Sequence, residues 1–437
     1  MNILLLGSGG REHAMACNIA ASSRCSRLFV APGNAGTAAL PKSCNVDIQP
    51  TDFNAVRSLV VSEDVRMVVV GPEAPLVEGI VDFFQNVTEL RHVMVIGPGK
   101  SGARLEGSKD FAKDFMLRHG IPTAAHRTFT AQSVDEGCAF LRSLKPPYVL
   151  KADGLAAGKG VLILDNLDEA ERELKEMLVG AKFGDASAKV VVEEFLSGVE
   201  LSVFVLTDGR SYKILPAAKD YKRIGEGDTG LNTGGMGSVS PVPFADKAFM
   251  RKVEERIVAP TVKGLHQDGI PYKGFIFVGL MAVGDARTGD IDPYVIEYNV
   301  RMGDPETESV FPRLKSDVVE LFEHVWRGTL RHTSVEVDPR VAACVMMVAG
   351  GYPGHYEKGF PIAGLDRVED SLVFHAGTKL GDDRQVLTNG GRVLCVTSLA
   401  ESVPAALLKS YQEVEKIHWD GCYYRRDIGQ DLLKLMM

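Results

Sequence analysis

The 437-residue chain has no apolar run close to the ~18 residues that a membrane-crossing helix needs. A membrane partner is therefore not expected. Its first residues, Met1-Asn2-Ile3-Leu4-Leu5-Leu6, reach Gly7 too soon for a signal-peptide core and carry no basic stretch. Its seven cysteines (17, 25, 44, 138, 344, 395 and 422) are an odd number with no C-x-x-C pair. A disulfide framework and a zinc site are thus excluded, and the thiols read as small buried apolar residues in a reducing, cytoplasmic setting. A basic excess is missing too: 49 Lys and Arg stand against 57 Asp and Glu, a formal charge of −8. Proteins that grip a phosphate polymer carry a basic surface, so nucleic acid is not expected as a partner. A single phosphate remains open, because glycine loops hold it with backbone N–H groups that the net charge does not count. Internal repeats and low-complexity tracts are absent.

Glycine is abundant: 45 of 437 residues, about a tenth of the chain where ~7% is usual. With 45% hydrophobic and 24% charged residues the composition is otherwise that of a globular protein, not a disordered, collagenous or coiled-coil one. At about 150 residues per domain, the length predicts roughly three domains.

Residues 1–105 alternate short aliphatic runs (Ile3–Leu6, Leu28–Val30, Met67–Val70, Val93–Ile96) with helical patterns (His13–Ala21, Phe53–Val61, Leu76–Phe84). This is the pattern of a doubly wound α/β domain with a parallel sheet. Residues 106–330 form a second expected domain. It opens with a helix over 108–120, capped by Ser108 and stopped by Gly120-Ile-Pro122. Within it, about 125–196 reads as a small α+β module: strands Tyr148–Lys151, Val161–Leu164 and Val190–Phe195 around a helix Leu167–Leu178. Longer strands follow at Leu201–Thr207, Ser211–Pro216, Phe275–Val283 and Tyr294–Tyr298, with helices Asp246–His266 and Asp317–Trp326. Polar residues 329–340 read as a linker to a small C-terminal α+β domain, 331–437, with strands Val341–Ala349, Leu372–Ala376 and Val393–Leu399 and a helix Pro404–Val414.

Five motifs carry chemistry. Gly7-Ser-Gly-Gly-Arg-Glu-His13 follows the first strand and aims backbone N–H groups at one point, which suits an anion. Glu12 stands where a dinucleotide fingerprint needs its third glycine, which disfavours a nicotinamide site. Lys151-Ala-Asp-Gly-Leu-Ala-Ala-Gly-Lys159-Gly160 is not a P-loop: its spacer is one residue short and Gly160 replaces the magnesium-binding hydroxyl. Two lysines framing glycines still suit a loop that covers a triphosphate. Glu193-Glu194-Phe195-Leu196 ends a strand before a glycine turn, and alone reads as a solvated edge. The glycine-dense stretch 225–237 reads as one long loop, either functional or disordered. Finally, Glu297, Asn299 and Arg301 share one face of a strand by the period of two. The first two offer hard oxygens for Mg²⁺ and the third a phosphate-binding fork; the alternative is a wet sheet face.

In this order and spacing the motifs resemble the ATP-grasp superfamily. Gly7–His13, Lys151–Gly160, Asn232-Thr-Gly-Gly-Met-Gly237 and Arg301-Met-Gly-Asp-Pro-Glu306 resemble in particular the phosphoribosylamine–glycine ligase family, through Tyr424-Arg-Arg-Asp-Ile-Gly429 near the end. The resemblance implies an N-terminal doubly wound sheet, a central ATP-grasp fold with a mobile lid, and a small C-terminal domain. It implies that ATP phosphorylates the glycine carboxylate and that 5-phosphoribosylamine then displaces phosphate, giving glycinamide ribonucleotide for purine synthesis. ATP and Mg²⁺, or Mn²⁺ in its place, are the implied cofactors, and a monomer or weak dimer is expected.

The resemblance also implies residue roles. Lys109 and Lys151 reach the ATP phosphates, and Gly158, Lys159 and Gly160 belong to the lid loop. Glu193, Glu194, Phe195 and Leu196 line the adenine, with the backbone at this hinge making the base contacts, and Glu200 takes the ribose hydroxyls. Glu297 and Asn299 bind metal. Arg301 steadies the transferring phosphoryl group; with Lys151 and Asp220 it makes up the implied catalytic set. Gly9 and Gly10 hold the ribosylamine phosphate, while Asp220, Lys222, Asn232 and Gly235 face glycine and the amine. The strand Phe275–Val283 lacks the metal-binding acid that many ATP-grasp enzymes carry there. Rival readings are an ATP-grasp carboxylase acting on bicarbonate, a nicotinamide oxidoreductase and a nucleotide sensor.

Overall fold

Aliphatic, β-branched runs bounded by glycine cannot alternate inside and outside, so both faces of their sheet must be covered. The computed structural model, which describes residues 1–154, 160–180, 182–285 and 290–435, begins with such a sheet. Its five parallel strands lie in the order Ser43–Asn45, Arg27–Pro32, Asn2–Gly7, Val65–Val70, Met94–Ile96. The helix expected over Leu76–Phe84 is two helices, Glu73–Glu78 and Ile80–Asn86. Gly79 breaks them by adopting a left-handed φ of 96°, a conformation open to glycine.

Helix Lys109–Arg118 starts where expected, with Ser108 Oγ accepting from the Phe111 N–H. Beyond it stands a four-stranded antiparallel sheet, His126–Phe129, Val190–Glu194, Tyr148–Ala152, Val161–Leu164 in order. Helices Val134–Ser143 and Leu167–Leu178 pack on it. This module has its own core, including Phe129, Leu141, Leu150, Leu174 and Val192, separate from the main one.

The central sheet is antiparallel: Tyr212–Ile214, Gly198–Thr207, Gly274–Asp285, Asp290–Asn299. The helix expected over Asp246–His266 runs as Lys247–Val253 and Ala259–Gln267 around a π-helical segment, Glu254–Val258. Pro260 has no N–H to return to residue 256, and the ladder widens just before it.

The last sheet draws on two stretches of chain. Its strands are Lys219–Asp220, Gly237–Ser240, Val341–Val348, Arg392–Ala400 and Leu372–His375. Residues 219–240 therefore tie the middle of the chain to its C-terminal part. The glycine-dense stretch between them is a folded hairpin, Arg223–Gly225 against Thr229–Asn232, and not one long loop. The C-terminal segment clamps it: Arg425 donates to Arg223 O and pairs with Asp228 at 2.7 Å, and Gly227 N–H donates to Asp427. The 329–340 stretch is no free linker. Arg313 donates to the carbonyls of Asp338 and Arg340, and Leu330 is buried. Among the described residues no helix is long and apolar enough to cross a membrane. All seven cysteines are unpaired, and Cys44 is exposed, contrary to the expected burial.

Candidate active site

Two ammonium groups meet one carboxylate between the small module and the central sheet. Glu193, at the end of its strand and 3% exposed, receives Lys151 Nζ at 3.0 Å and Lys113 Nζ at 3.1 Å on the same oxygen, Oε2. Its Oε1 is buried with no partner. Burial pushes the Glu193 carboxyl up, but the two ammonium groups outweigh it and hold the group below the usual carboxylate range. Lys151 also donates to Ile296 O at 3.4 Å, so it spans from the small module to the residue before Glu297. Lys109 Nζ donates to Gly154 O at 3.1 Å, at the start of the glycine loop. Asp153 braces that junction, accepting from Ser108 Oγ and Asp110 N–H. Gly158 and Lys159 lie outside the described residues; Gly160 O accepts from Ala152 N–H.

A second group lines a cavity on the central sheet: Glu200, Ser202, Asp220, Lys222, Gly279 and Glu297. Lys222 pairs with Glu200 at 3.0 Å; each charge stabilises the other, pulling the Glu200 carboxyl down and the ammonium up. Burial raises the Asp220 carboxyl against the pull of Lys222. Gly279 sits opposite Glu297 in the strand register, so the place where a second acid could stand holds no side chain.

Arg301 leaves the same strand end and is gripped by the N-terminal domain. Its Nη2 meets Glu106 at 2.7 Å, its Nε lies 3.5 Å from Glu73, and Nη2 approaches Asn299 Oδ1 at 3.4 Å. Glu106 also accepts from Val300 N–H.

The first glycine loop is closed by its own side chains. Glu12 Oε2 accepts from Gly9 N–H at 2.7 Å, and Oε1 pairs with Arg11 at 2.6 Å. A Cβ at Gly71 would overlap Glu12, and one at Gly10 would overlap Glu308. These glycines thus make room for buried carboxyls, and Glu12 fills ground that a dinucleotide would need. Gly235, at φ 121°, lies against Pro305 and accepts no Cβ. Next to it Arg392 pairs with Asp304 at 2.8 Å and donates to Gly234 O, while Gly234 N–H donates to the Tyr352 hydroxyl. Tyr352 belongs to the stretch Gly350-Gly-Tyr-Pro-Gly354 of the C-terminal part, which thus reaches the Gly234 loop.

The chain matches three family models in sequence: Phosphoribosylglycinamide synthetase N domain over 1–106, ATP-grasp (A) domain over 107–307 and C domain over 342–431. It belongs to the phosphoribosylglycinamide synthetase family. It is 48% identical to a phosphoribosylamine–glycine ligase of Escherichia coli O157:H7, across 98% of both chains. It is also 48% identical to that of Pseudomonas aeruginosa, across 98% of this chain and 97% of the other. The crystal structure of phosphoribosylamine–glycine ligase from Thermotoga maritima superposes with a TM-score of 0.83 at 37% identity, covering 98% of this chain and all of the other.

Within this family member the residues singled out by sequence fall into three places. Lys109, Lys151 and Glu193 gather at the module junction; Glu200, Asp220, Lys222 and Glu297 share the cavity; Asn299 stands beside Arg301. Glu194 Oε1 accepts from Ala125 N–H; after the strand Phe195 is exposed and Leu196 half-buried. Asn232 is exposed on the hairpin, opposite Arg223 and apart from the cavity. Lys113 and Glu106 escaped the sequence reading, as did the pairing of Glu73 with Arg301. Lys113 is one more lysine on an amphipathic helix, and nothing local marks it as a partner of a residue 80 positions on. Glu297 and Asn299 suit a hard divalent ion. Among the described residues no three His, Cys, Asp or Glu cluster as a ready cage. One carboxylate and one amide oxygen, completed by substrate phosphates, is how such an ion is commonly held.

Proposed function

We propose that the chain joins glycine to 5-phospho-D-ribosylamine, converting ATP to ADP and phosphate and yielding glycinamide ribonucleotide for purine synthesis. The observation that carries this reading is Lys151, which bridges Glu193 to the strand that bears Glu297 and Asn299 and leads into Arg301. Nucleotide-side and metal-side groups are thereby joined at one ammonium.

The roles follow from the chemistry of each group. A glycine carboxylate oxygen attacks the γ-phosphorus while the bond to ADP breaks, giving glycyl phosphate. The amine nitrogen then bonds to the carbonyl carbon, inorganic phosphate leaves, and the nitrogen gives up a proton. Such transfers are governed by positioning and charge neutralisation more than by covalent catalysis. Lys109, Lys151 and the loop through Gly158, Lys159 and Gly160 neutralise the phosphates. Glu193–Leu196 take the base, and the unpartnered Oε1 of Glu193 is an acceptor free for the adenine amino group. Glu200 receives the ribose. Glu297 and Asn299 would hold Mg²⁺, or Mn²⁺, which supplies charge to the transferring phosphoryl group. Arg301, fixed by Glu106 and Glu73, steadies that group; Asp220 and Lys222 face glycine and the amine, with Asn232 on the flanking hairpin and Gly235 just beyond it. Gly9 and Gly10 belong to the loop assigned to the ribosylamine phosphate, with Gly9 N–H supplied only if Glu12 yields it. The unpaired thiols fit a reducing cytoplasm.

Purified protein supplied with ATP, Mg²⁺ and ribosylamine should release ADP with glycine and not with bicarbonate. ADP release with bicarbonate alone would transfer the assignment to a carboxylase.

A further inference from the structure

Glu193 has an asymmetry that its role as a lining residue does not require. Both ammonium groups sit on Oε2, and Oε1 is left buried and unpartnered. One of those ammonium groups, Lys151, has a second duty at the phosphates. When it turns toward them, its hold on Glu193 weakens. Lys113 has no such duty. It is 3% exposed, its Nζ donates to Thr123 Oγ1 at 2.7 Å, and Thr123 Oγ1 donates in turn to Val295 O at 2.7 Å. That chain of contacts anchors the ammonium to the central sheet at Val295.

We propose that Lys113 is a positioning residue for nucleobase specificity: it keeps Glu193 ionised and oriented in the loaded enzyme, so that Oε1 can only accept. An ionised oxygen there receives the 6-amino group of adenine and repels the 6-oxo group of inosine or guanosine. If Glu193 lost its charge it would carry an O–H, which can donate to a 6-oxo oxygen, and the discrimination would fall. A buried carboxylate left without its cation is driven toward that neutral form. The inference rests on the ATP-dependent reading above and adds to it the residue that selects the base.

The test compares kcat/KM for ATP and for ITP in the ligase reaction. Lys113→Met is expected to lower the ATP-to-ITP ratio about tenfold or more, the equivalent of one hydrogen-bond preference, mainly through KM for ATP. Lys113→Arg should restore most of it. Thr123→Val, which only loosens the lysine, should move the ratio the same way by less and covers the case in which Lys113→Met does not fold. Glu193→Gln, whose amide can present either an acceptor or a donor, should also lower the ratio. If Glu193→Gln lowers it while Lys113→Met and Thr123→Val reduce ATP and ITP use by one common factor, the proposal is overturned and the ligase reading stands. A ratio unchanged in Glu193→Gln overturns the base contact itself. Wild-type protein that turns over neither nucleotide with glycine overturns the reading beneath both.

Discussion

Arg301, proposed above to steady the transferring phosphoryl group, is held by two carboxylates from another domain, which makes it a structural residue as well. Its side chain is 17% exposed and Glu106 is 5% exposed. Arg301→Met would leave Glu106 buried without its cation, which costs about 3–5 kcal/mol in comparable pairs. Burial already pushes the Glu106 carboxyl up, so part of that cost is relieved by protonation. Arg301→Lys keeps a charge but loses the fork that spans Glu106, Glu73 and Asn299. It should fold and melt near the wild-type temperature while kcat falls roughly 10²–10³-fold, as for the loss of a preorganised donor. Retained kcat would remove Arg301 from the phosphoryl site. Glu297→Ala is a cleaner lesion: turnover should vanish with the circular dichroism spectrum unchanged, and full activity would show the metal oxygens to be elsewhere.

At the scale of elements, the module of residues 126–194 differs from its surroundings in having a core of its own. Leu141→Ala should cost about 2–5 kcal/mol there. Hydrogen exchange should then rise across its four strands while strand Asn2–Gly7 stays protected, and ATP should reverse the rise. A uniform increase over the whole chain would contradict an independent lid. The hairpin Arg223–Asn232 is the second such element. Arg425 is fully buried and pairs with Asp228 and Asp427. Its replacement by Met should raise KM for glycine or the amine more than KM for ATP. Helix Leu167–Leu178 is legible in the sequence because Asn166 caps it and its apolar residues recur on one face. The hairpin is not, because what orders it is a cluster of charges some 200 residues away in sequence.

Across the whole molecule, a seam joins the first and last domains. His375 N–H donates to His13 Nδ1 at 2.8 Å, and Asn34 Nδ2 donates to His375 O. Burial pushes the two imidazoles down, to about 3 for His13 and about 4 for His375, and each lies against the other. An unfolded histidine titrates near 6.5. Between that value and the native ones the unfolded chain binds protons that the native chain refuses, so stability is full above about pH 6.5 and falls as pH drops. The loss is up to about 1.4 kcal/mol per pH unit for each histidine. Melting temperature should fall from pH 7 to pH 5, less steeply in His375→Asn; a flat profile would show the pair to be exposed or already charged. This seam, like the Arg301 clamp, brings together residues from separate domains. The strands, the glycine turns and the Glu297–Asn299–Arg301 alternation can be read locally, because each obeys a short-range period. Glu12 in the third glycine position likewise reads locally as a barrier to a dinucleotide, and its carboxylate caps Gly9. Lys113, Glu106 and Arg392 cannot be read this way, since their partners lie about 80 or more residues away in sequence.

Labelled glycine tests directly the proposed activation of glycine as its acyl phosphate before the amine attacks. With both carboxylate oxygens replaced by oxygen-18, the inorganic phosphate released with glycinamide ribonucleotide should carry one labelled oxygen. Phosphate free of label would contradict an acyl phosphate intermediate, because the oxygen that leaves with phosphate must then have come from water.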